Sequence, residues 1–326
     1  MIRASVNLMP EAPVREMVDL AVEAERLGFE RCWVYDEGLA TRDVYVTMTA
    51  IALATHHLTV GPGITNAYTR HVSQTAAAIA SLDELSGGRA VLGVGAGGSL
   101  TLGPLAIDRS LPLAAVRATI EACRKLFSGA STSYDSSVAT LREARLSFAR
   151  PAIEIWLAGR GPKMLALGGE LADGVMLDFM HRDTIADTVA IVRGAAVKAG
   201  RPMPMLSYST MIVTDDDSID DVKPHLTYRL VDSQPKVREL LGISDSDIDR
   251  IRGAMADGLV AAGRFIEDEW VLPFVIHGSR AECATQLGAL MTEHGFDEYL
   301  LPVLDPRTAV EVMTRVAGVV AGAAPR

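Results

Sequence analysis

The sequence has few residues of the kinds that mark several common classes of protein. Its 326 residues include three cysteines, Cys32, Cys123 and Cys283, which are widely spaced and odd in number. That pattern argues against a disulfide framework and a cysteine metal site, and it predicts buried thiols in a reducing cytoplasm. No apolar run reaches the ~18 residues that a membrane span requires. The amino terminus does not have the pattern of a signal peptide.

Positive charge is also scarce. Lysine and arginine number 31 against 41 aspartates and glutamates, which gives a formal net charge of −10. This balance argues against nucleic acid or an anionic membrane as a partner, so an anionic ligand must be held by local donors such as helix amino termini. The seven histidines form no H-x-x-x-H or H-E-x-x-H pattern, and no metal site is expected. The G-x-S-x-G motif of α/β-hydrolases is absent as well.

Aromatic residues make up only 5% of the chain, but 49% of it is hydrophobic and 28 residues are glycine. This is enough for one large α/β domain. Apolar runs alternate with segments of helical spacing, and the pattern predicts a (β/α)8 TIM barrel. A doubly wound open sheet is less favoured because no G-x-G-x-x-G motif follows the first strand. The eight strands are predicted at residues 3–8, 31–35, 58–62, 90–94, 153–157, 174–178, 205–213 and 298–304.

Three segments interrupt this alternation. Residues 99–109 are predicted to form a long loop, and residues 128–151 an excursion that contains a hairpin. Residues 215–271 are acidic and mostly helical, which is typical of an insertion carrying two or three helices. We therefore expect one domain over residues 1–326, with a helical insertion around 215–271.

Polar residues follow two of the predicted strands, at the barrel edge where ligands bind. Asp36 and Glu37 follow the second strand, and a close pair of carboxyl groups is suited to general acid catalysis; the alternative is a helix cap and a solvated loop acid. At the end of the third strand, Gly63 permits close approach of a flat ligand, and Asn66 offers a donor and an acceptor. A plain turn between strand and helix is the alternative there.

A third candidate is the segment from Gly159 to Met164, which ends the fifth strand and begins a helix. Pro162 suits the first helical turn, and the free amides beyond Gly161 are placed to bind an anion. Arg160 and Lys163 add positive charge in an otherwise acidic protein. A structural helix start with two surface cations is the alternative.

Four segments together resemble the luciferase-like superfamily of (β/α)8 oxidoreductases: WVYDE…RDVYVTMTAIAL, VGPGITNAYTRH, LDELSGGRAVLGVGAG and AGRGPKMLALGGELADGV. Within it, they are most similar to the branch that depends on coenzyme F420, a deazaflavin, and that includes methylenetetrahydromethanopterin reductase. The resemblance implies hydride transfer between the reduced deazaflavin and a small organic acceptor. It also implies a homodimer. An FMN-dependent monooxygenase and a non-catalytic flavin-binding barrel are the alternatives.

The same resemblance implies roles for individual residues. Gly63 and Ile64 match a site where the family has a non-prolyl cis peptide, which forms a bulge against one face of the ring. Asp36, Thr65 and Asn66 would contact the ring, and Gly97, Gly98 and Thr101 would lie along the ring and its side chain. The remaining cofactor contacts would be Ala158, Gly159, Arg160, Gly161 and Lys163 at the phosphate, with Gly174 and Val175 bordering the site.

The sequence departs from the family pattern in ways that bear on catalysis. Glu37 stands where many members have histidine, Val72 stands where proline is common, and Arg160 replaces a glycine or asparagine. Asp36 and Glu37 are the expected catalytic residues. The substrate is expected over the ring, beside these acids, Arg42 and Tyr68.

Overall fold

The computed structural model of the chain describes residues 2–323, without the side chains of residues 99 and 100. Buried apolar runs form the strands, because the strands of a parallel barrel are covered on both faces. In chain order the strands are β1 (Arg3–Leu8), β2 (Arg31–Val34), β3 (Thr59–Pro62), β4 (Thr65–Asn66), β5 (Val91–Gly95), β6 (Thr132–Asp135), β7 (Thr140–Ala144), β8 (Glu154–Ala158), β9 (Gly174–Asp178), β10 (Met205–Ser209), β11 (Ile212–Thr214), β12 (Ile276–Gly278) and β13 (Glu298–Val303).

Parallel strands form a closed barrel. Within residues 2–323, nine strands make one sheet in the order β3-β2-β1-β13-β10-β9-β8-β5-β4. The two ends of that order, β3 and β4, are consecutive in the chain and are separated only by Gly63 and Ile64. They act as one interrupted barrel strand, and a bridge from Val60 to Ala90 joins β3 to the segment before β5. The predicted (β/α)8 barrel is confirmed.

Helices follow the strands, and the longer helices outside residues 219–271 cover the barrel with an apolar face turned inward. Their bounds are α1 (Val14–Arg26), α2 (Val44–Ala54), α3 (Val72–Ser86), α4 (Ser99–Leu102), α5 (Pro112–Phe127), α6 (Pro162–Leu171), α7 (Ile185–Lys198), α8 (Ile219–Val231), α9 (Pro235–Leu241), α10 (Asp245–Ala254), α11 (Leu259–Gly263), α12 (Asp268–Val271), α13 (Arg280–His294) and α14 (Ala309–Ala323).

The amino end of the barrel is filled by side chains. The guanidinium of Arg31 lies 5.2 Å from the ring centroid of Trp33 and 4.5 Å from that of Trp156. It also pairs with Glu298 at 3.0 Å and with Glu154 at 3.2 Å. A buried guanidinium is tolerable here because carboxylates and aromatic faces surround it.

Two predictions about the strands and loops are corrected. The predicted loop at 99–109 contains α4 and a 3-10 turn over Gly103–Leu105. The predicted strand at 205–213 is two strands, because β10 ends at Ser209 and β11 pairs instead with β12. The hairpin predicted within 128–151 is confirmed as the antiparallel pair of β6 and β7.

The insertion carries more helices than the sequence predicts. Between Ile219 and Val271 lie α8 to α12, which pack around their own apolar core, including Leu226, Leu230 and Ile251. Phe179, the residue after β9, belongs to the same core. The insertion therefore packs at the carboxyl end of the barrel strands, where a ligand is expected.

Candidate functional site

Two adjacent carboxyl groups lie where β2 ends. The Thr65 hydroxyl, on β4, donates to Asp36 Oδ2 at 2.6 Å. Burial raises the pKa of Asp36, and the hydrogen bond from Thr65 opposes that change. The barrel thus joins two predicted site residues that are far apart in the chain.

Glu37 makes a separate contact. The Thr101 hydroxyl donates to Glu37 Oε2 at 2.8 Å. Burial raises the pKa of Glu37, and the neighbouring Asp36 raises it further, although the Thr101 bond acts in the opposite direction. A carboxyl group in such surroundings keeps its proton to a higher pH than an exposed glutamate does.

The break between β3 and β4 forms a bulge at the barrel edge. The peptide bond from Gly63 to Ile64 is cis, as the family resemblance implies. Asn7 Nδ2 donates to the Gly63 carbonyl at 2.6 Å. A Cβ at position 63 would lie 2.5 Å from Trp33 Cβ, so a side chain has no room there. Ile64 packs with the cluster of Trp33 and Trp156 inside the barrel.

Asn66 presents an unused donor. Its Oδ1 accepts from the backbone amides of Tyr68 and Thr69, both at 2.9 Å. Its Nδ2 is buried and has no hydrogen-bond partner among the described residues. An orphaned buried donor costs free energy unless a ligand or water accepts from it. This atom is therefore suited to the polar edge of a bound ring.

The amino end of α6 is open to an anion. Gly161 is its N-cap residue, no described side chain caps it, and a Cβ on Gly161 would meet nothing within 4 Å. The first amides of a helix lack intrahelical partners and attract negative charge. Arg160 and Lys163 are exposed beside them. Ala158 ends β8 just before this turn, and Gly159 packs against Met164.

The loop after β5 contributes glycines. Gly97 has φ +71°, a conformation that glycine adopts without strain, and its carbonyl accepts from Arg109 Nη1 at 3.0 Å. Gly98 is exposed and has open space where a Cβ would be. Gly97 and Gly98 have no side chains, so a ligand could approach their backbone closely along the barrel edge.

Four predicted residues are placed less favourably for binding. Gly174 and Val175 begin β9 at the amino end of the barrel; a Cβ at 174 would strike the Trp156 ring, and Val175 packs against α6 at Gly168. They do not border the site, because the strand reaches the carboxyl edge only at Asp178. Arg42 is exposed, and its amide donates to Pro10 at 3.0 Å. The Tyr68 hydroxyl donates to the Ser110 carbonyl at 2.9 Å.

Several charged or phenolic groups at the site were not predicted from the sequence. Burial raises the pKa of Tyr35 well above its ordinary value, and the charges of Asp178 and Glu37 act in the same direction. Arg70 lies 4.0 Å from the Tyr45 ring centroid, and its charge acts to lower the pKa of Asp36. Tyr35 follows β2 and Asp178 ends β9, so their position in the chain could have placed both at the carboxyl edge of the barrel. Arg229, on α8, comes from the insertion and carries no such signal.

These elements define one arrangement at the carboxyl edge. The bulge at Gly63 and Ile64 interrupts the barrel strand, Asn66 has a donor that no described residue uses, and α6 begins with uncapped amides. Asp36 and Glu37 follow β2 at the same edge, and the pKa of each is raised by burial. The arrangement fits a flat ring that carries an anionic tail, with a second reactant placed over it.

Comparisons with known proteins agree with this geometry. The family model described as luciferase-like monooxygenase matches residues 1–298. The chain is 31% identical over 293 residues to 5,10-methylenetetrahydromethanopterin reductase of Methanolobus tindarius, covering 88% of this chain and 90% of that one. The enzyme of the same name from Archaeoglobus fulgidus is 29% identical, with 87% and 89% covered.

A solved structure has the same fold. It is that of the coenzyme F420 dependent tetrahydromethanopterin reductase from Methanopyrus kandleri. The two structures superpose with a TM-score of 0.86 over 96% of this chain and 97% of the other, at 24% sequence identity.

Proposed function

This chain belongs to the luciferase-like monooxygenase family, and from that premise we propose that it is an F420-dependent oxidoreductase. It exchanges a hydride between the deazaflavin coenzyme and a small organic acceptor. The relatives that it matches over most of its length are named 5,10-methylenetetrahydromethanopterin reductases. By analogy with them, we favour an acceptor that has a polarised carbon–nitrogen double bond.

One observation carries the proposal: beside the bulge at Gly63 and Ile64, Asn66 Nδ2 is buried and has no hydrogen-bond partner within residues 2–323. We assign the ring to this surface, with Asp36 and Thr65 at its polar edge and Gly97, Gly98 and Thr101 along it. The phosphate of the coenzyme is assigned to the first turn of α6, where Ala158, Gly159, Arg160, Gly161 and Lys163 lie. When bound, the coenzyme supplies the hydride chemistry, and the protein supplies orientation and electrostatics.

The residues of the chain then have distinct tasks. Asn7 holds the Gly63 carbonyl from below, which fixes the surface on which the ring rests. Glu37 holds a proton for an acceptor that needs one, with Asp36 as its neighbour. For an acceptor that is already cationic, the carboxylate of Glu37 stabilises positive charge instead. Arg42 and Tyr68 remain the proposed contacts of the substrate.

The phosphate assignment is tested by removing the two cations beside α6. Replacing Arg160 and Lys163 with alanine is expected to weaken binding of the phosphorylated deazaflavin about tenfold or more, because two charge-assisted contacts are lost. A dephosphorylated analogue is expected to bind as it does to the wild-type protein. Fluorescence titration measures both. The matched control replaces Arg193 and Lys198, two exposed cations of α7. Equal loss for both ligands would contradict the assignment.

We further propose that the chain is one domain over residues 1–326 and works as a homodimer in the cytoplasm. The dimer proposal is supported by α2, whose sequence VYVTMTAIALA has no charged residue. Met48 and Ile51 on its inner face are buried, whereas Val46 and Leu53 on the other side are 60% and 66% exposed. A helix apolar on both sides is suited to packing against a second copy.

The three free cysteines support a reducing compartment. No described helix is long and apolar enough to cross a membrane.

A further inference from the structure

A cavity lies between the barrel and the insertion. It has a volume of about 240 Å³ and is lined by residues of α6, α7, α8, α9 and the loops before α6 and α7, including Arg160, Pro162, His181, Arg229 and Lys236. Pro162 is the first residue of α6, so the cavity opens beside the amino end of that helix. The Gln234 side chain joins the two sides by donating to the Arg160 carbonyl at 2.9 Å.

Arg229 is the unusual residue of this cavity. It is partly buried, its Nη2 contacts Met180 Sδ at 3.4 Å, and its guanidinium lies 5.9 Å from the Phe274 ring centroid. It forms no ion pair with any described carboxylate. Other buried or partly buried arginines have oxygen partners: Arg31 pairs with Glu298 at 3.0 Å, and Arg182 donates to the Val275 carbonyl at 2.8 Å. A desolvated cation without a carboxylate is costly unless an anion joins it.

The charges around Arg229 leave an excess of positive charge. Burial and the charge of Arg160 lower the pKa of Arg229 to about 9, although Asp178 and Tyr208 act in the opposite direction, so the guanidinium stays charged at neutral pH. Arg160 also lacks an ion pair within residues 2–323. Lys236, in contrast, is neutralised by Asp187 at 2.7 Å, and Asp232 is an exposed acid of the lining.

His181 adds no charge to the cavity. Burial lowers its pKa, although Asp183 acts in the opposite direction, and its Nδ1 accepts from the Asp183 amide at 3.2 Å, so the ring is neutral at neutral pH. Among the described residues, Arg160 and Arg229 are therefore the two cations of this cavity that have no carboxylate partner.

A larger groove elsewhere shows the contrast. It has a volume of about 700 Å³ and lies between α5, β6 and the carboxyl end of α6. Its partly buried charges are paired: Arg124 with Asp173 at 2.9 Å, and Glu170 with Arg117 at 2.6 Å. Lys125 also lines the groove, but it is exposed to solvent, so no buried cation there requires an anion.

We propose that the cavity at Arg229 is an oxyanion subsite that takes a phosphate or carboxylate group of the bound coenzyme or substrate. Arg229 and Arg160 are its cationic partners, and the planar guanidinium of Arg229 is suited to a two-point contact with such a group. The assignment to coenzyme or substrate rests on the proposed function, whereas anion binding by the cavity does not. The insertion thus contributes a binding residue as well as cover for the barrel.

The first test uses inorganic phosphate as the probe. At constant ionic strength, phosphate is expected to raise the melting temperature of the wild-type protein, because a ligand that binds the folded state stabilises it. In Arg229→Gln the apparent Kd for phosphate is expected to rise about tenfold. Arg264→Gln is the control, since Arg264 is an exposed arginine of the same insertion. A phosphate response in Arg229→Gln equal to that of Arg264→Gln overturns the proposal.

The second test identifies the source of the anion. If Arg229→Gln weakens binding of the phosphorylated deazaflavin and spares the dephosphorylated analogue, the anion is the coenzyme phosphate. If both deazaflavins bind normally but the phosphate response is lost, the anion belongs to the substrate. Arg229→Lys, which keeps the charge, is expected to retain the fold and part of the phosphate response. A wild-type protein that responds to phosphate but binds no deazaflavin would overturn the proposed function and leave this inference supported.

Discussion

At the scale of single residues, the neighbouring carboxyl groups of Asp36 and Glu37 are separated in role by their hydrogen bonds. Asp36 accepts from Thr65 of β4, and Glu37 accepts from Thr101 of α4. Because a carboxyl group has two oxygens, Glu37 can accept from Thr101 with one and carry a proton on the other. Burial favours that protonated form.

Glu37→Gln tests whether this proton is used. If Glu37 is a general acid, the turnover number is expected to fall ~10²-fold or more, because the amide cannot donate in the same way. Coenzyme affinity is expected to change little. Steady-state kinetics with the physiological acceptor measure the effect, and Glu84→Gln, at an exposed position of α3, is the control. A raised KM with normal turnover would indicate substrate binding, and wild-type kinetics would reduce Glu37 to a loop acid.

The same variant is expected to change how stability depends on pH. Since the pKa of Glu37 is raised by folding, the native state binds more protons than the unfolded state, and stability falls as pH rises from the unfolded pKa through the folded pKa. Each unit of upward shift corresponds to about 1.4 kcal/mol lost above that range. Glu37→Gln is therefore expected to melt higher than the wild type at pH 8, with the difference vanishing at acidic pH. Thermal melts across pH measure this, and a difference that grows on acidification would contradict it.

At the scale of elements, the barrel closes where β3 and β5 approach backbone to backbone. A Cβ on Gly61 would lie 2.3 Å from the Val91 carbonyl oxygen, and one on Gly93 would lie 2.2 Å from that of Pro62. Glycine at these positions permits the approach. The closure holds the bulge at Gly63 and Ile64 against β5, so the same glycines position the candidate ring site.

Gly93→Ala is expected to separate these strands. The added methyl group meets backbone, which cannot move aside as a flexible side chain can, and the expected loss is at least about 2 kcal/mol in the free energy of unfolding. Chemical denaturation measures it. Gly194→Ala is the matched control: Gly194 lies in α7 with open space around it, and alanine there is expected to be neutral or to stabilise by up to about 1 kcal/mol. A Gly93→Ala protein as stable as the control would refute this account of closure.

Elements with a strong periodic pattern could be predicted from the sequence, and the rest could not. The strands Arg3–Leu8 and Gly174–Asp178 have the bounds that the pattern predicts. Helix α4 has four residues, too few to show a period, and the exchange of sheets after Ser209 depends on a tertiary partner, β12. The sequence also predicts too few helices in the insertion, because α11 and α12 have five and four residues and show no period either.

The candidate site divides in the same way. Residues at strand ends, such as Asp36, Thr65 and Asn66, could be placed because a barrel brings those ends together. Gly174 is assigned to the site by the resemblance alone, and it begins β9, whose opposite end reaches the carboxyl edge of the barrel. Arg229 could not be predicted from the sequence. Its candidate role depends on the lack of a described carboxylate beside it, and only the folded structure shows that.

At the scale of the whole molecule, the apolar outer face of α2 is the feature that a single copy of the barrel leaves uncovered. Replacing Val46 and Leu53 together with glutamate is expected to convert the proposed dimer to a monomer, because four charges would then meet across the interface of two copies. Light scattering after size-exclusion chromatography measures the mass. Val197→Glu, on α7 at a residue 73% exposed, is expected to leave the dimer intact. A wild-type protein that is monomeric would contradict the proposed assembly.

The central claim is that the carboxyl edge of the barrel binds a phosphorylated deazaflavin. Parallel fluorescence titrations of the purified protein with coenzyme F420 and with FMN test it most directly. The account predicts saturable binding of F420 with a Kd at least about tenfold lower than that of FMN, a difference of about 1.4 kcal/mol. Tighter binding of FMN, or no binding of F420, would contradict it.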